Sequence, residues 1–270
     1  MLKLKDDPTK ELTTLSRARR KRTSALPTTN KDRTSCRGGV LMLMTRALAL
    51  ASVCVCIVLS VASAIAAECQ QESFGNWLEH FKKEATGLGV SKPTIASALN
   101  GITYDPAIIA RDHSQSVFQQ SFEQFSGRMV SPDRLRKGAN MLKRYGSILN
   151  RIEDRYGVPG EVLVSIWGLE SDYGVNQGKY STIRSLATLA YDCRRGEKFH
   201  AELLDALRII ERGDLTAGEM IGAWAGELGQ TQFLPSAYLK FAVDFEGYGH
   251  RDLIHSALNA LASTANYLKS

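Results

Sequence analysis

The chain is poor in the residues that build metal and redox centres. It has five cysteines in 270 residues, of which Cys36, Cys54 and Cys56 lie in or before an apolar segment near the N-terminus; only Cys69 and Cys193 follow it. Two cysteines permit one disulfide or two buried free thiols, and they are too few for a zinc site. Positive charge is also missing where the composition suggests it. The net charge is +6, yet residues 1–46 hold 12 Lys/Arg against 4 Asp/Glu, leaving 22 against 24 for residues 47–270. The basic balance therefore belongs to the leader, and the remainder has no electrostatic footprint for nucleic acid. Internal repeats, low-complexity tracts and long linkers are absent, and strand signals are few and short. About 200 residues after the leader suffice for one domain with its own core.

What is present begins with that leader. Residues 1–46, with Arg17, Arg19, Arg20, Lys21 and Arg22, read as a basic, disordered tail, unless translation starts at Met42 or Met44. Residues 47–67, ALALASVCVCIVLSVASAIAA, are uncharged and end in small residues. They read as a secretory signal cleaved after Ala66 or Ala67, with an uncleaved membrane anchor as the alternative. Glu68 before Cys69 argues against a lipidation signal, which needs a small residue there.

Helical periodicity runs through most of the rest, which sets the fold class as α+β, predominantly α-helical. The expected helices are Phe74–Leu88, Pro93–Leu99, Val117–Met129, Ser131–Tyr156, Ile183–Tyr191, Glu197–Arg212, Thr216–Ala225, Pro235–Val243 and Asp252–Lys269. Ser131 fits an N-cap, Pro132 a first turn and Gly157 a stop. The stripe Phe118, Phe122, Phe125 is expected to pack into the core. The segment VPGEVLVSIWGLESDYG, Val158 to Gly174, reads as a short helix entered at Pro159 and stopped at Gly174. Val162, Leu163, Ile166 and Trp167 form its expected buried face, and Glu170 falls four residues after Ile166, so that partial desolvation should raise its pKa. The alternative is an end-of-helix carboxylate reaching water or an arginine.

YGVPGEVLVSIWGLESDYG, SLATLAYDCRR, GAWAGELGQTQFLPSAYLKFAVDFEGYGHRDL and STANYLKS, in that order, resemble the lytic murein transglycosylase B family. The resemblance covers about Tyr156 to Ser270. It implies a lysozyme-like fold, a periplasmic location and cleavage of the β-1,4 MurNAc–GlcNAc bond of peptidoglycan glycan strands without a cofactor. Relatives continue past the ANYLK block, so residues 68–270 read as a catalytic domain short of its C-terminal part.

By the same resemblance Glu170 is the single catalytic acid. Ordinary glycosidases use two carboxylates; a lytic enzyme uses the sugar's own C6 hydroxyl as acceptor, so one group that donates and then accepts a proton suffices. A hydrolytic muramidase and a non-catalytic peptidoglycan-binding scaffold are the rival readings. Arg194 and Arg195 match a basic pair along the glycan cleft, suited to muramyl carboxylates. Gln232, Phe233 and Tyr267 match cleft residues, with plain core packing the alternative for the two aromatics; Ala223 stands where some relatives carry Ser, Glu227 is a second conceivable partner although the family has no catalytic acid there, and Asp172 is expected to be a solvated end charge. Residues 244–252 resemble a calcium loop of part of the family through Asp244, Glu246 and Asp252. Tyr248 replaces an oxygen ligand there and His255 a closing Glu, so an ordinary turn is expected and no metal is assigned. A Cys69–Cys193 disulfide is the candidate cross-link.

Overall fold

Seven of the described helices start on a side-chain cap: Ser73, Ser91, Asp105, Ser121, Ser131, Ser181 and Ser256 each accept a backbone N–H two or three residues ahead. Such caps satisfy N–H groups that a helix cannot pair internally. The computed structural model describes residues 72–114 and 120–270, all within one compact unit, Val61–Ser270. The leader, the 47–67 segment, Cys69 and Phe118 lie outside the described residues. In chain order the elements are α1 (Phe74–Gly87), α2 (Lys92–Leu99), α3 (Pro106–His113), α4 (Phe122–Met129), α5 (Pro132–Tyr156) and α6 (Gly160–Ser171). They continue with β1 (Tyr180–Ser181), α7 (Thr182–Tyr191), α8 (Gly196–Glu211), β2 (Ile221–Gly222), α9 (Pro235–Phe241) and α10 (Ala257–Lys269). The two strands pair antiparallel, Tyr180 opposite Gly222 and Ser181 opposite Ile221. The fold is predominantly helical with a small β ribbon, as the periodicity predicts.

Three expectations need correction. Residues 216–225 are not a helix: they form turns and β2, because Gly222 is held across from Tyr180 and also bridges to Leu228. α3 was not expected, its apolar content being confined to eight residues. The aromatic stripe is not core: α4 buries no residue, and Phe122 is 76% and Phe125 36% exposed.

Apolar side chains gather in two clusters. The larger draws on α1, α2, α3, α7, α8, α9 and the segment after β2, including Leu186, Leu203, Leu228, Phe233 and Tyr238. The smaller joins α5, α6 and α10 through Leu149, Ile152, Leu163, Trp167, Leu261 and Ala265. Small residues let the helices of this second cluster approach closely. A Cβ on Gly160 would lie 3.0 Å from the Leu149 Cβ, and α10 buries a continuous run from Asn259 to Ala265. α6 thus belongs to one cluster and the 222–233 loop to the other. The candidate site forms where they meet.

Candidate active site

α6 is apolar on nearly every side, so its buried face is chosen by packing. Leu163, Val164, Trp167, Gly168 and Ser171 are buried, while Val162 is 43% exposed and Ile166 only partly covered. The expected face is therefore half right, and Glu170 lies on the open Val162–Ile166 row. Solvent reaches this carboxylate, as a group acting on a polymer requires. Its carboxyl is nonetheless held above the ordinary glutamate range, first because surrounding protein displaces part of its water and second because the Glu227 carboxylate repels its charge. A raised value favours the protonated form that a general acid needs.

The chain reverses immediately after Glu170. Asp172, Tyr173 and Gly174 take left-handed conformations at φ 55, 64 and 85°, so the helix stops at Ser171 and Asp172 occupies the capping place that the sequence assigns to Gly174. Left-handed backbone at non-glycine residues costs about 1–2 kcal/mol each and persists where packing enforces it. Here Tyr173 supplies the packing. Its ring fills a slot over two glycines: Cβ atoms on Gly168 and Gly138 would meet it at 2.7 and 2.8 Å, and its hydroxyl donates to the Arg134 carbonyl at 2.7 Å. Asp172 is correspondingly not a solvated end charge, since the Arg134 Nε donates to its Oδ1 at 3.3 Å.

The turn is tied to the loop of the larger cluster by Ser171. Its Oγ donates to the Gln230 carbonyl at 2.5 Å and accepts from Gly174 N–H at 2.9 Å. Gln230 in turn donates from Nε2 to Ile254 O at 3.1 Å and from its backbone to Leu253 O at 2.8 Å. The 222–233 loop is folded on itself by Ala223 N–H to Glu227 O at 2.8 Å and by paired Leu228–Phe233 backbone bonds at 2.9 Å. Ser171, Gln230 and Tyr173 are the supporting residues that the sequence pattern does not single out. The available signal was the density of glycines, Gly168, Gly174, Gly222, Gly226 and Gly229, around the acid and its loop.

The remaining candidates divide. Gln232, at φ 55°, spends its amide N–H groups on Gly229 O at 2.8 Å and Gln177 O at 3.2 Å. No described contact uses its Oε1, which can accept from an acetamido N–H. Phe233 is 4% exposed and packs edge-on against Tyr267 with ring centres 5.7 Å apart, so it is a core residue with no face for a sugar. Tyr267 is 49% exposed and also rests on Phe241 at 4.6 Å. Arg194 and Arg195 both ion-pair with Asp112 on α3, which is 2% exposed, and Arg195 additionally lies over Phe199. Their first partner is this carboxylate, although about a third to a half of each side chain stays exposed.

Asp112, His113 and Asp192 bring ligand atoms within 4.8 Å of one another, but both Asp112 oxygens already face the arginines. The 244–252 turn uses its carboxylates internally. Asp244 accepts N–H groups from Gly247, Tyr248 and Gly249, which hold its carboxyl below the usual aspartate range. Glu246 lies 3.5 Å from Arg151, and Asp252 binds the Ile254 and His255 N–H groups and the His255 ring. Cys193 is disulfide-bonded; Cys69, its expected partner, is outside the described residues. No described helix is long and apolar enough to cross a membrane.

Residues 73–270 match the Transglycosylase SLT domain family. The chain is 37% identical over 144 residues to membrane-bound lytic murein transglycosylase B of Escherichia coli K12, covering 53% of this chain and 40% of that protein. It is similar to the crystal structure of SltB3 from Pseudomonas aeruginosa in complex with NAG-anhNAM-pentapeptide, with 44% identity, a TM-score of 0.71, and coverage of 73% of this chain and 53% of that one. The Escherichia coli lytic transglycosylase Slt35 in complex with bulgecin A matches at 29% identity and TM-score 0.65, over 71% of this chain and 62% of that one. The chain thus spans 40% to 62% of the length of these relatives. Its helices share their lysozyme-like fold, and with nearly the whole described region matched, the chain belongs to the Transglycosylase SLT domain family.

Proposed function

We propose that this chain is a peptidoglycan lytic transglycosylase that cleaves the β-1,4 MurNAc–GlcNAc bond and leaves 1,6-anhydroMurNAc ends, with Glu170 as acid and then base. The observation that carries the reading is a solvent-reachable carboxyl, raised above its ordinary range, at the end of the α6 helix. The crystal complexes of SltB3 with NAG-anhNAM-pentapeptide and NAG-NAM-pentapeptide support a glycan occupant.

Glu170 begins protonated and gives its proton to the glycosidic oxygen. The C1–O bond breaks with its electron pair on that oxygen, and the substrate's N-acetyl oxygen relieves the positive charge at C1. Glu170, now ionised, takes the proton of the C6 hydroxyl as that oxygen closes on C1. No water is consumed and Glu170 ends protonated, ready for the next cycle. Sugar binding is assigned to Gln232, whose Oε1 has no described partner, and to the exposed ring of Tyr267.

One observation favours a hydrolytic muramidase as second reading: Glu227 is a second carboxylate, whose charge contributes to raising the Glu170 carboxyl. Only one of its two oxygens, Oε2, is buried without a partner, and the residue as a whole is half-buried. Mass spectrometry of muropeptides released from sacculi separates the two. Anhydro products support the lytic reading, reducing-end products the muramidase, and bound sacculi without release a scaffold. Export with residues 47–67 as signal or anchor, and a periplasmic site of action, complete the proposal; N-terminal sequencing of the exported protein tests it.

A further inference from the structure

The eight residues of α4 bury no side chain, although a helix this short is marginal in water without a packed face. Phe122, Phe125 and Met129 fall at the spacing of one helical row, and both phenylalanines are exposed. The row runs into a groove of about 290 Å³ between the end of α4, α5 and α6, whose apolar lining includes Met129, Val130, Leu135, Ala139, Leu142 and Leu169. Val130, Leu135 and Leu169 are themselves exposed. Five of the twelve large apolar side chains exposed among the described residues thus share one corner of the domain, and apolar surface gathered in this way marks a contact face.

The same corner is basic. Residues 120–144 hold six Lys/Arg against Glu123 and Asp133, a net +4, whereas the rest of residues 47–270 holds 16 against 22, a net −6. Arg136 and Lys143 are each one step round α5 from the Leu135–Ala139–Leu142 row, and Arg128 is exposed on α4. Apolar side chains bordered by cations suit the boundary between acyl chains and anionic headgroups. We propose that α4 and the first half of α5 form a docking surface for an anionic phospholipid bilayer. Phe122 and Phe125 enter the acyl boundary, and Arg128, Arg136 and Lys143 meet headgroup phosphates. Charge disfavours a second copy as the occupant, since pairing this corner with itself would set +4 against +4. The surface lies on the bilayer and is separate from residues 47–67, and it does not rest on the lytic reading.

The test is amide hydrogen exchange of the full chain in two kinds of vesicle, phosphatidylcholine alone and an equal mixture with phosphatidylglycerol. Exchange reads α4 locally, whatever residues 47–67 do in the lipid. The α4 amides, fast in a short unpacked helix, should slow in the anionic vesicles and stay fast in phosphatidylcholine. Phe122→Gln with Phe125→Gln should abolish the slowing. Lys143→Gln should cut the docked-to-free ratio about fivefold, as loss of one cation at an anionic surface implies. All three side chains are exposed, so the variants keep the fold, which thermal melting checks. Leu88→Gln, at an exposed apolar residue after α1, should change nothing. Equal slowing in both lipids, no slowing in either, or slowing that survives the double phenylalanine variant overturns the proposal. Slowing that follows the protein-to-lipid ratio instead of lipid charge gives the face to a second copy. Slowing on adding glycan strands to phosphatidylcholine vesicles gives it to the sugar polymer, and either result overturns the proposal as well.

Discussion

Replacing Ser171 by Ala should loosen the site without touching a reacting group. Ser171 is 1% exposed, so water cannot enter where the hydroxyl was. The substitution strips the donor from the Gln230 carbonyl and the acceptor from the Gly174 N–H. Leaving a buried polar group unpaired costs about 1–3 kcal/mol. Gly174 is partly exposed and its N–H can turn to water, whereas Gln230 is 6% exposed. The loss therefore falls mainly at Gln230, for a total of about 2 kcal/mol. For a domain of this size that lowers Tm by roughly 4–8 °C. Equilibrium urea unfolding followed by tryptophan fluorescence is the assay, with Trp167 one turn before the altered residue reporting locally. The midpoint should fall with an unchanged slope, and kcat/KM should fall too, because the loop bearing Glu227 and Gln232 loses its tie to α6. A stability change below about 0.5 kcal/mol, the ordinary range for inconsequential substitutions, would refute the reasoning.

Further outcomes follow from the same geometry. Gly222→Ala should destabilise by about 3 kcal/mol or prevent folding, because the backbone must move to admit a Cβ. Gly218→Ala, which meets nothing within 4 Å, should melt within about 0.5 kcal/mol of wild type; equal melting of the two variants would contradict the loop geometry. Phe233→Ala should cost about 3–5 kcal/mol in denaturant unfolding, while Tyr267→Ala should mainly raise KM for glycan; the reverse pattern would return Phe233 to the cleft. For Glu170 the folded value lies above the unfolded one, so its stability contribution is complete below the unfolded value and is lost as pH rises through the folded one. Glu170→Gln, which cannot ionise, should melt above wild type at neutral pH and level with it below the ordinary glutamate range. A variant less stable at neutral pH would indicate that the carboxylate is stabilised by the fold.

Much of the helical frame was legible because its signals are local. Ser131, Pro132 and Gly157 bound α5 as expected, with the Ser131 Oγ accepting from Arg134 N–H and Gly157 at φ 75°. Local signals fail where a distant partner decides. Gly222 reads as helical until Tyr180 and the Glu227 carbonyl are placed beside it. Arg194 and Arg195 read as free to meet substrate until Asp112, some eighty residues earlier, takes both. On α6 the whole surface is apolar, so spacing could identify a helix but not its buried face. The position of Glu170 was readable, and so was the direction of its pKa. The left-handed turn that follows it, wedged open by Tyr173 against Gly138 and Gly168, was not.

The most direct test of the central claim is the muropeptide spectrum released from sacculi by wild type and by Glu170→Gln. The account predicts 1,6-anhydroMurNAc ends from wild type and a loss of turnover on the order of 10²–10⁴ in the variant, with the fold intact by thermal melting. Reducing-end products from wild type, or anhydro products formed by Glu170→Gln within about threefold of the wild-type rate, would contradict it.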